Sequence, residues 1–437
     1  MQLAPKTTVA ASHAVAAAEQ FGTPLYVYDE TCIVRHCRNV MDMPNAFGLA
    51  PRYAMKANSS RAILQLVASQ GLGIDASSLN EARRAIAAGI APERIMLTTQ
   101  EVPMAQNRTD LEEMMRGGLR YNVCSRRQLE LIADFAASED IAISMRIHPG
   151  VGSGESATRN TGDKYSCFGV HLSILEDVLA YAGQKGVKCT GVHVHIGSGG
   201  DPEAWRANID CELEFVENFF PDATHVSFGG GFKVARMPGE KAADIEELGC
   251  YAKKRFEEFY ARTGRKLAME VEPGTYIVAN AGFLVTRVLD LKSTGRDGFE
   301  FVIVDGGMEV NTRPLLYGSS HPFYVVSATG SLLSSEFDPM LEETAAGERI
   351  IVGRCCESGD SQSLDEHGHI VPRFLAAPAV GDYVIVGGCG AYCSAMSPFN
   401  YNSHIQVPEV LLREGGSLQL IRRPQLIDQI WQNELGL

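Results

Sequence analysis

Between about residues 50 and 275 the chain alternates short apolar runs with longer amphipathic stretches, and it carries eight such runs. Those at 51–57, 73–77, 95–99, 121–125, 142–147, 189–197, 225–231 and 267–274 read as strands. Helical spacing fills most of the gaps. The stretch 59–70 has Ser59 or Ser60 as its cap, 78–89 opens on Ser78 and Glu81 in capping-box spacing and closes on Gly89, and 125–137 opens on Ser125. Residues 203–219 and 243–262 are amphipathic as well. Eight strands alternating with helices predict a (β/α)8 TIM barrel. An open doubly wound sheet usually has fewer strands, and its glycine fingerprint is absent after the run 51–57.

The Gly/Ser/Thr-rich stretch 149–169 breaks the rhythm and reads as a loop over the barrel mouth. Beyond about residue 282 the runs become short, β-branched and separated by Gly, Asp or Pro, at 284–292, 299–305, 322–328, 349–353, 382–387 and 405–413. These predict antiparallel strands, with 330–349 as a polar excursion. The segment 24–29 has the same character. The expected division is a barrel over 30–282 and a mostly antiparallel β-domain built from 1–29 and 283–437.

A net charge of −14 disfavours nucleic acid and anionic membrane as partners. No apolar run approaches the ~18 residues of a membrane span. Residues 1–17 lack the basic start and apolar core of a signal peptide. Eleven cysteines without zinc-type spacing then read as reduced thiols in a cytoplasmic protein, most of them small buried apolar residues.

A barrel of this kind places its site at the carboxyl ends of the strands. Lys56 ends the first run, behind Tyr53, Ala54 and Met55, in apolar surroundings expected to make an amine nucleophilic toward an aldehyde. Asp75 and Ser77 end the second, Arg146 and His148 the fifth, and His195 the sixth, with Gly197 and Ser198 behind it. Gly229, Gly230 and Gly231 expose backbone N–H groups suited to a phosphate, to which Ser198 could add a donor. Glu272, followed by Pro273 and Gly274, could keep a pyridine nitrogen protonated, making the ring an electron sink. His195 could stack on that ring. A bland reading covers each residue alone: a surface lysine, an ordinary glycine turn, a core histidine. Taken together, amine, phosphate cradle, carboxylate and stacking histidine specify pyridoxal 5'-phosphate.

These residues resemble the fold-type III, pyridoxal-phosphate-dependent decarboxylases, and the resemblance spans roughly residues 24 to 405. Tyr53-Ala54-Met55-Lys56-Ala57-Asn58 resembles the cofactor-lysine motif, and His195-Ile196-Gly197-Ser198 the ring-stacking motif. Gly229-Gly230-Gly231 resembles the phosphate loop, and Glu272-Pro273-Gly274 the ring-nitrogen motif. Residues 311–321, with Arg313 and Tyr317, resemble a substrate-binding segment. Cys356-Glu357-Ser358-Gly359-Asp360 resembles the motif supplied by the partner subunit, and Gly390-Ala391-Tyr392 the C-terminal cofactor contact. The resemblance implies an alanine-racemase-type barrel, a β-domain and a homodimer with shared sites. It implies decarboxylation of an amino acid, diaminopimelate to lysine being the closest match. Cys356 would then protonate the product carbon, and Glu357, with Ser358 beside it, would bind the distal ammonium. Three departures stand out: Thr275 replaces a usual arginine, Cys167 precedes Phe168-Gly169 where a lysine is usual, and Gly353-Arg354-Cys355 leads into Cys356. The first leaves open another basic amino acid, a polyamine precursor or a siderophore or antibiotic intermediate as substrate. Racemase and non-catalytic readings also remain, weakened by Cys356 and by the intact Lys56 and Glu272.

Overall fold

The computed structural model describes residues 3, 7–150, 164, 166–195, 197, 202–338 and 346–437. It forms two compact units. One comprises Met1–Arg35, Val234–Lys241 and Ile277–Leu437; the other comprises His36–Lys233 and Ala242–Tyr276. The short segment Val234–Lys241 thus leaves the barrel stretch and packs with the β unit.

The first strand of the chain, β1 (Leu25–Asp29), belongs to the β unit. The barrel unit holds β2 (Leu49–Ala54), β3 (Gly73–Ala76), β4 (Ile95–Thr98), β5 (Arg120–Val123), β6 (Ile143–His148), the two-residue β7 (Val170–His171), β8 (Cys189–His193), β9 (His225–Ser227) and β10 (Ala268–Val271). All pair in parallel, in the order β5-β4-β3-β2-β10-β9-β8-β6, and the β5–β6 pairing closes the ring. This is the eight-stranded barrel that the alternation predicted, with β7 appended to the edge of β6. Every residue of β6 is buried, as expected of strands covered on both faces.

A polar layer crosses the barrel. Glu270 on β10 accepts from Arg52 on β2 at 3.2 Å and from Arg120 on β5 at 2.6 Å. Since β5 and β10 are not neighbours, both side chains must point inward. Burial alone would raise the Glu270 carboxyl, but the two guanidiniums outweigh it and hold it below the usual range.

The strands stop earlier than the apolar runs imply. β2 ends at Ala54 and a single 3-10 turn, Met55–Ala57, follows it; β8 ends at His193, β9 at Ser227 and β10 at Val271. Beyond β9 the backbone turns at Gly229, where φ of +64° is incompatible with a strand. The caps are largely as the spacing predicts. Ser78 accepts from the amide of Glu81 and Ser125 from that of Gln128. The return bond of Glu81 goes to the amide of Ser77 instead of Ser78. Ser60 occupies its cap position without a side-chain bond, and Asn58 Oδ1 accepts the Ser60 amide. Most of the expected mouth loop, residues 151–163 and 165, lies outside the described residues.

In the β unit the strands are β11 (Gly282–Ser293), β12 (Glu300–Val304), β13 (Phe323–Val326), β14 (Leu332–Ser335), β15 (Ala346–Val352), β16 (Arg373–Ala376), β17 (Tyr383–Val386), β18 (Glu409–Leu412) and β19 (Leu418–Arg422). The main order is β14-β13-β17-β11-β1-β18-β19, with β12 joining β11 to β15 and β16 beyond. Pairing is antiparallel except for β1–β18 and β12–β15. β1 lies between β11 and β18, in register Tyr26↔Leu284 and Tyr26↔Glu409. A helix over Ala11–Phe21, unforeseen from the sequence, buries Ala14, Val15 and Ala18 in one core with Val27, Phe283, Ile385 and Val410. Among the described residues no helix is long and apolar enough to cross a membrane.

Candidate active site

Lys56, Asp75, His195, Glu272 and the Gly229–Gly231 loop all lie in the barrel unit, at or just past the carboxyl ends of β2, β3, β8, β10 and β9. The turns past the strands lock them together. The amide of Glu272 donates to Gly229 O at 2.7 Å, and the amide of Ala54 donates to Pro273 O at 3.4 Å. A methyl group on Gly274 would sit 3.2 Å from Ala54, so glycine lets the Glu272 turn close over the Lys56 turn.

Glu272 is the best-supported group. His193 Nε2 lies 3.0 Å from Oε1 and 3.1 Å from Oε2, and Ser227 Oγ donates to Oε1 at 3.1 Å. Burial opposes its charge, but the contact with His193 and the charge of Lys56 hold the carboxyl well below the usual range. Asp75 goes the other way. Burial and the nearby Glu272 charge push it well up, against the pull of Lys56 and a hydrogen bond from Thr98. Two carboxyls that feel one another thus diverge, Glu272 shifted down and Asp75 shifted up.

His195 is held neutral, chiefly by burial and then by the positive charges of Arg146 and Lys56. The Gly230 amide donates to its Nδ1 at 3.3 Å, which leaves its proton on Nε2. Gly229 makes this approach possible: an added methyl would lie 2.6 Å from Nδ1. Two amides of the glycine loop are therefore turned to side chains, Gly230 to His195 and Gly229 to Ser227. Ser198, expected to add a donor, lies outside the described residues. Gly229→Ala should cost about 1–3 kcal/mol from its left-handed backbone alone. It should also displace His195. A lowered thermal midpoint checks this; an unchanged one contradicts it.

The desolvation expected at Lys56 is not found. Tyr53, Ala54 and Met55 are buried, but Lys56 is exposed because the 3-10 turn carries it out of the strand. Its charge acts on Asp75, Glu81, Glu272 and His195, so carboxylates rather than apolar packing dominate its setting.

Sequence reasoning passed over three groups. His193, two positions before His195 on the same run, is the partner of Glu272. Glu81 was assigned to a helix cap and also feels Lys56. Glu212, on the helix Pro202–Phe219, is fully buried; burial and the Glu272 charge push it well up, against the pull of the Val194 amide. Its signal was a glutamate on the face of Trp205, Ile209 and Val216.

In the β unit, Arg313 stands between two predicted contacts, 5.8 Å from the Tyr317 ring and 6.0 Å from the Tyr392 ring. Cys356, Glu357 and Ser358 are exposed. Glu357 accepts from the Gly359 amide, from Ser358 Oγ at 3.2 Å and from Tyr401 Oη at 3.1 Å, which together hold it ionised.

The barrel residues fit a phosphorylated pyridine aldehyde. Asp75 Oδ1 and Arg146 Nη2 are buried without partners, as expected of polar atoms that await a ligand. The comparisons agree. The profile described as pyridoxal-dependent decarboxylase, pyridoxal binding domain, matches residues 31–279. Diaminopimelate decarboxylase of Streptomyces coelicolor is 34% identical over 96% of this chain and 91% of its own length. A crystal structure of a diaminopimelate decarboxylase superposes with a TM-score of 0.89 at 31% identity, covering 100% of this chain and 99% of that one. The Helicobacter pylori enzyme complexed with L-lysine gives a TM-score of 0.80 at 27% identity, covering 96% and 98%. With the site geometry and these matches in agreement over nearly its full length, the chain belongs to the pyridoxal-dependent decarboxylase family.

Proposed function

We propose that this decarboxylase converts meso-diaminopimelate to L-lysine and CO2 in a reducing, cytoplasmic setting, as a homodimer with shared sites. The observation that carries the chemistry is the barrel mouth, where an ionised Glu272 held by His193 and Ser227 shares its field with Lys56 and a neutral His195. Pyridoxal phosphate, when bound, supplies an electron-withdrawing ring that accepts the electrons released when the carboxylate leaves. Lys56 would hold its aldehyde through the side-chain amine. Glu272 keeps a negative charge where a ring N–H needs one. His195 offers an uncharged flat face with its proton fixed on Nε2. Cys356 gives the product carbon its proton. Glu357, ionised and exposed, takes the distal ammonium, while Arg313 between Tyr317 and Tyr392 takes a carboxylate.

The substrate reading is supported by identity of about one third to diaminopimelate decarboxylases and by a similar enzyme crystallised with L-lysine. CO2 release should favour meso-diaminopimelate over lysine, ornithine and arginine by at least about 10²-fold in kcat/KM, because a site with a buried cation for a second carboxylate is left unpaired by the others. Equal turnover of any of the three would redirect the assignment toward the alternative substrates that Thr275 leaves open.

Exposure of Cys356 and Glu357 supports their delivery to a partner's site. Cys356→Ala alone should lower turnover about 10²-fold, water partly replacing the thiol as donor. Mixed with Lys56→Ala and allowed to re-pair, it should recover about one quarter of wild-type activity, the share expected for random dimers. Verified mixed dimers with no recovery would sink the shared-site arrangement.

A further inference from the structure

Three ligand-bearing side chains from separate segments converge in the β unit. One ligand atom each from Glu309, Cys355 and His404 lies within 4.8 Å of the other two. Glu309 is buried, while Cys355 and His404 are half-buried. Glu309 Oε2 accepts the Gly307 amide at 2.8 Å and lies 3.5 Å from Cys355 Sγ. A small cavity lined by Glu309, Asn400, His404, Gln406 and Arg422 opens beside them. Neither Cys355 nor His404 has a task in the decarboxylation described above.

We propose that Glu309, Cys355 and His404 form a binding site for one zinc-like divalent cation. A thiolate, an imidazole and one carboxylate are the ligands of zinc and its borderline neighbours, whereas magnesium and calcium select all-oxygen sets. Bond lengths of ~2.0–2.3 Å with tetrahedral angles require ligand atoms about 3.4–3.6 Å apart. The observed spread needs closing by roughly 1 Å, within reach of side-chain rotations at two half-buried residues. The fourth position is left for water.

Proton balance is simple. Glu309 ligates through a carboxylate oxygen, His404 as neutral imidazole, and the Cys355 thiol releases its proton to solvent as the metal–sulfur bond forms. Arg354 is the competing cation, with Nε 3.4 Å from Glu309 Oε1 and its side chain 26% exposed. The metal takes Oε2, the oxygen nearest the thiol, and leaves the guanidinium on Oε1 or free to swing into water. The site lies at the root of the Cys356 loop. The Cys356 amide already donates to Asn402 Oδ1 at 2.7 Å, and Tyr401 Oη to Glu357 Oε2 at 3.1 Å. A Cys355–metal–His404 link would strap the loop to the same 401–404 segment a third time.

The test uses cofactor-loaded enzyme freed of metal with a chelator. Zn²⁺ is titrated against a chromophoric chelator, and Co²⁺ serves as a spectroscopic probe. The expected result is one Zn²⁺ per chain and a thiolate-to-cobalt charge-transfer band. Cys355→Ser and His404→Gln, checked for fold by circular dichroism, should each weaken binding at least about 100-fold. Cys355→Ser should also abolish the band, while Cys356→Ser should keep both. Substoichiometric uptake, unchanged binding in the first two variants, or loss in Cys356→Ser instead would overturn the site.

Discussion

Lys56→Ala is expected to lower turnover by at least about 10³-fold, roughly 4 kcal/mol of barrier. The same substitution should abolish covalent retention of the cofactor after borohydride treatment. Two effects act together in this variant. The amine that holds the aldehyde is lost, and a positive charge felt by Asp75, Glu81, Glu272 and His195 disappears. Lys56→Arg separates them, because a guanidinium keeps the charge but cannot take the amine's covalent role. Both variants should therefore be equally inactive, with cofactor binding weaker in Lys56→Ala. Turnover within tenfold of wild type in either variant, or cofactor still trapped on the chain, would remove Lys56 from the mechanism.

Glu272→Gln should lower kcat by about 10³-fold, the upper range for removing one preorganised electrostatic group. The amide fills the same space and still accepts from Ser227 or His193, so the loss reports charge rather than packing. Part of the charge can return by another route. Burial and the Glu272 charge are what raise the Asp75 carboxyl, and with that charge gone Asp75 ionises more readily. Residual activity in Glu272→Gln should consequently rise with pH as Asp75 loses its proton. Glu272→Gln combined with Asp75→Asn should lose that rise. Turnover of Glu272→Gln within threefold of wild type would show that the ring nitrogen needs no anion from this position.

Legibility was high where a residue type has few other uses at a strand end. Lys56, His195 and Glu272 interrupt apolar runs, and the parallel barrel gathers the ends of such runs at one mouth. What single residues could not reveal was what stands behind them. His193 and Glu212 are separated from Glu272 by 79 and 60 positions, so their influence exists only after closure of the ring. The exposure of Lys56 escaped notice because an apolar run looks the same whether it continues as a strand or turns out after Ala54. In the β unit, β14 reads Leu332-Leu333-Ser334-Ser335, too polar to register, yet Ser334 and Ser335 are buried with their backbones paired to β13. The metal-type cluster was invisible for the same reason as His193: Glu309, Cys355 and His404 have no spacing in common.

The position of β1 has a consequence for how the chain is made. Its native neighbours are residues 282–285 on one side and 409–412 on the other. The barrel unit draws all its strands from residues 49–271 and has its full complement available before β11 to β19 are made. The β unit does not. Its first strand leaves the ribosome with two unpaired edges and keeps one of them open until residues 409–412 have been added. Closure of that sheet is a late event with a large loop to span, so the exposed edge of Leu25–Asp29 is the surface on which an arrested or truncated chain would associate with others.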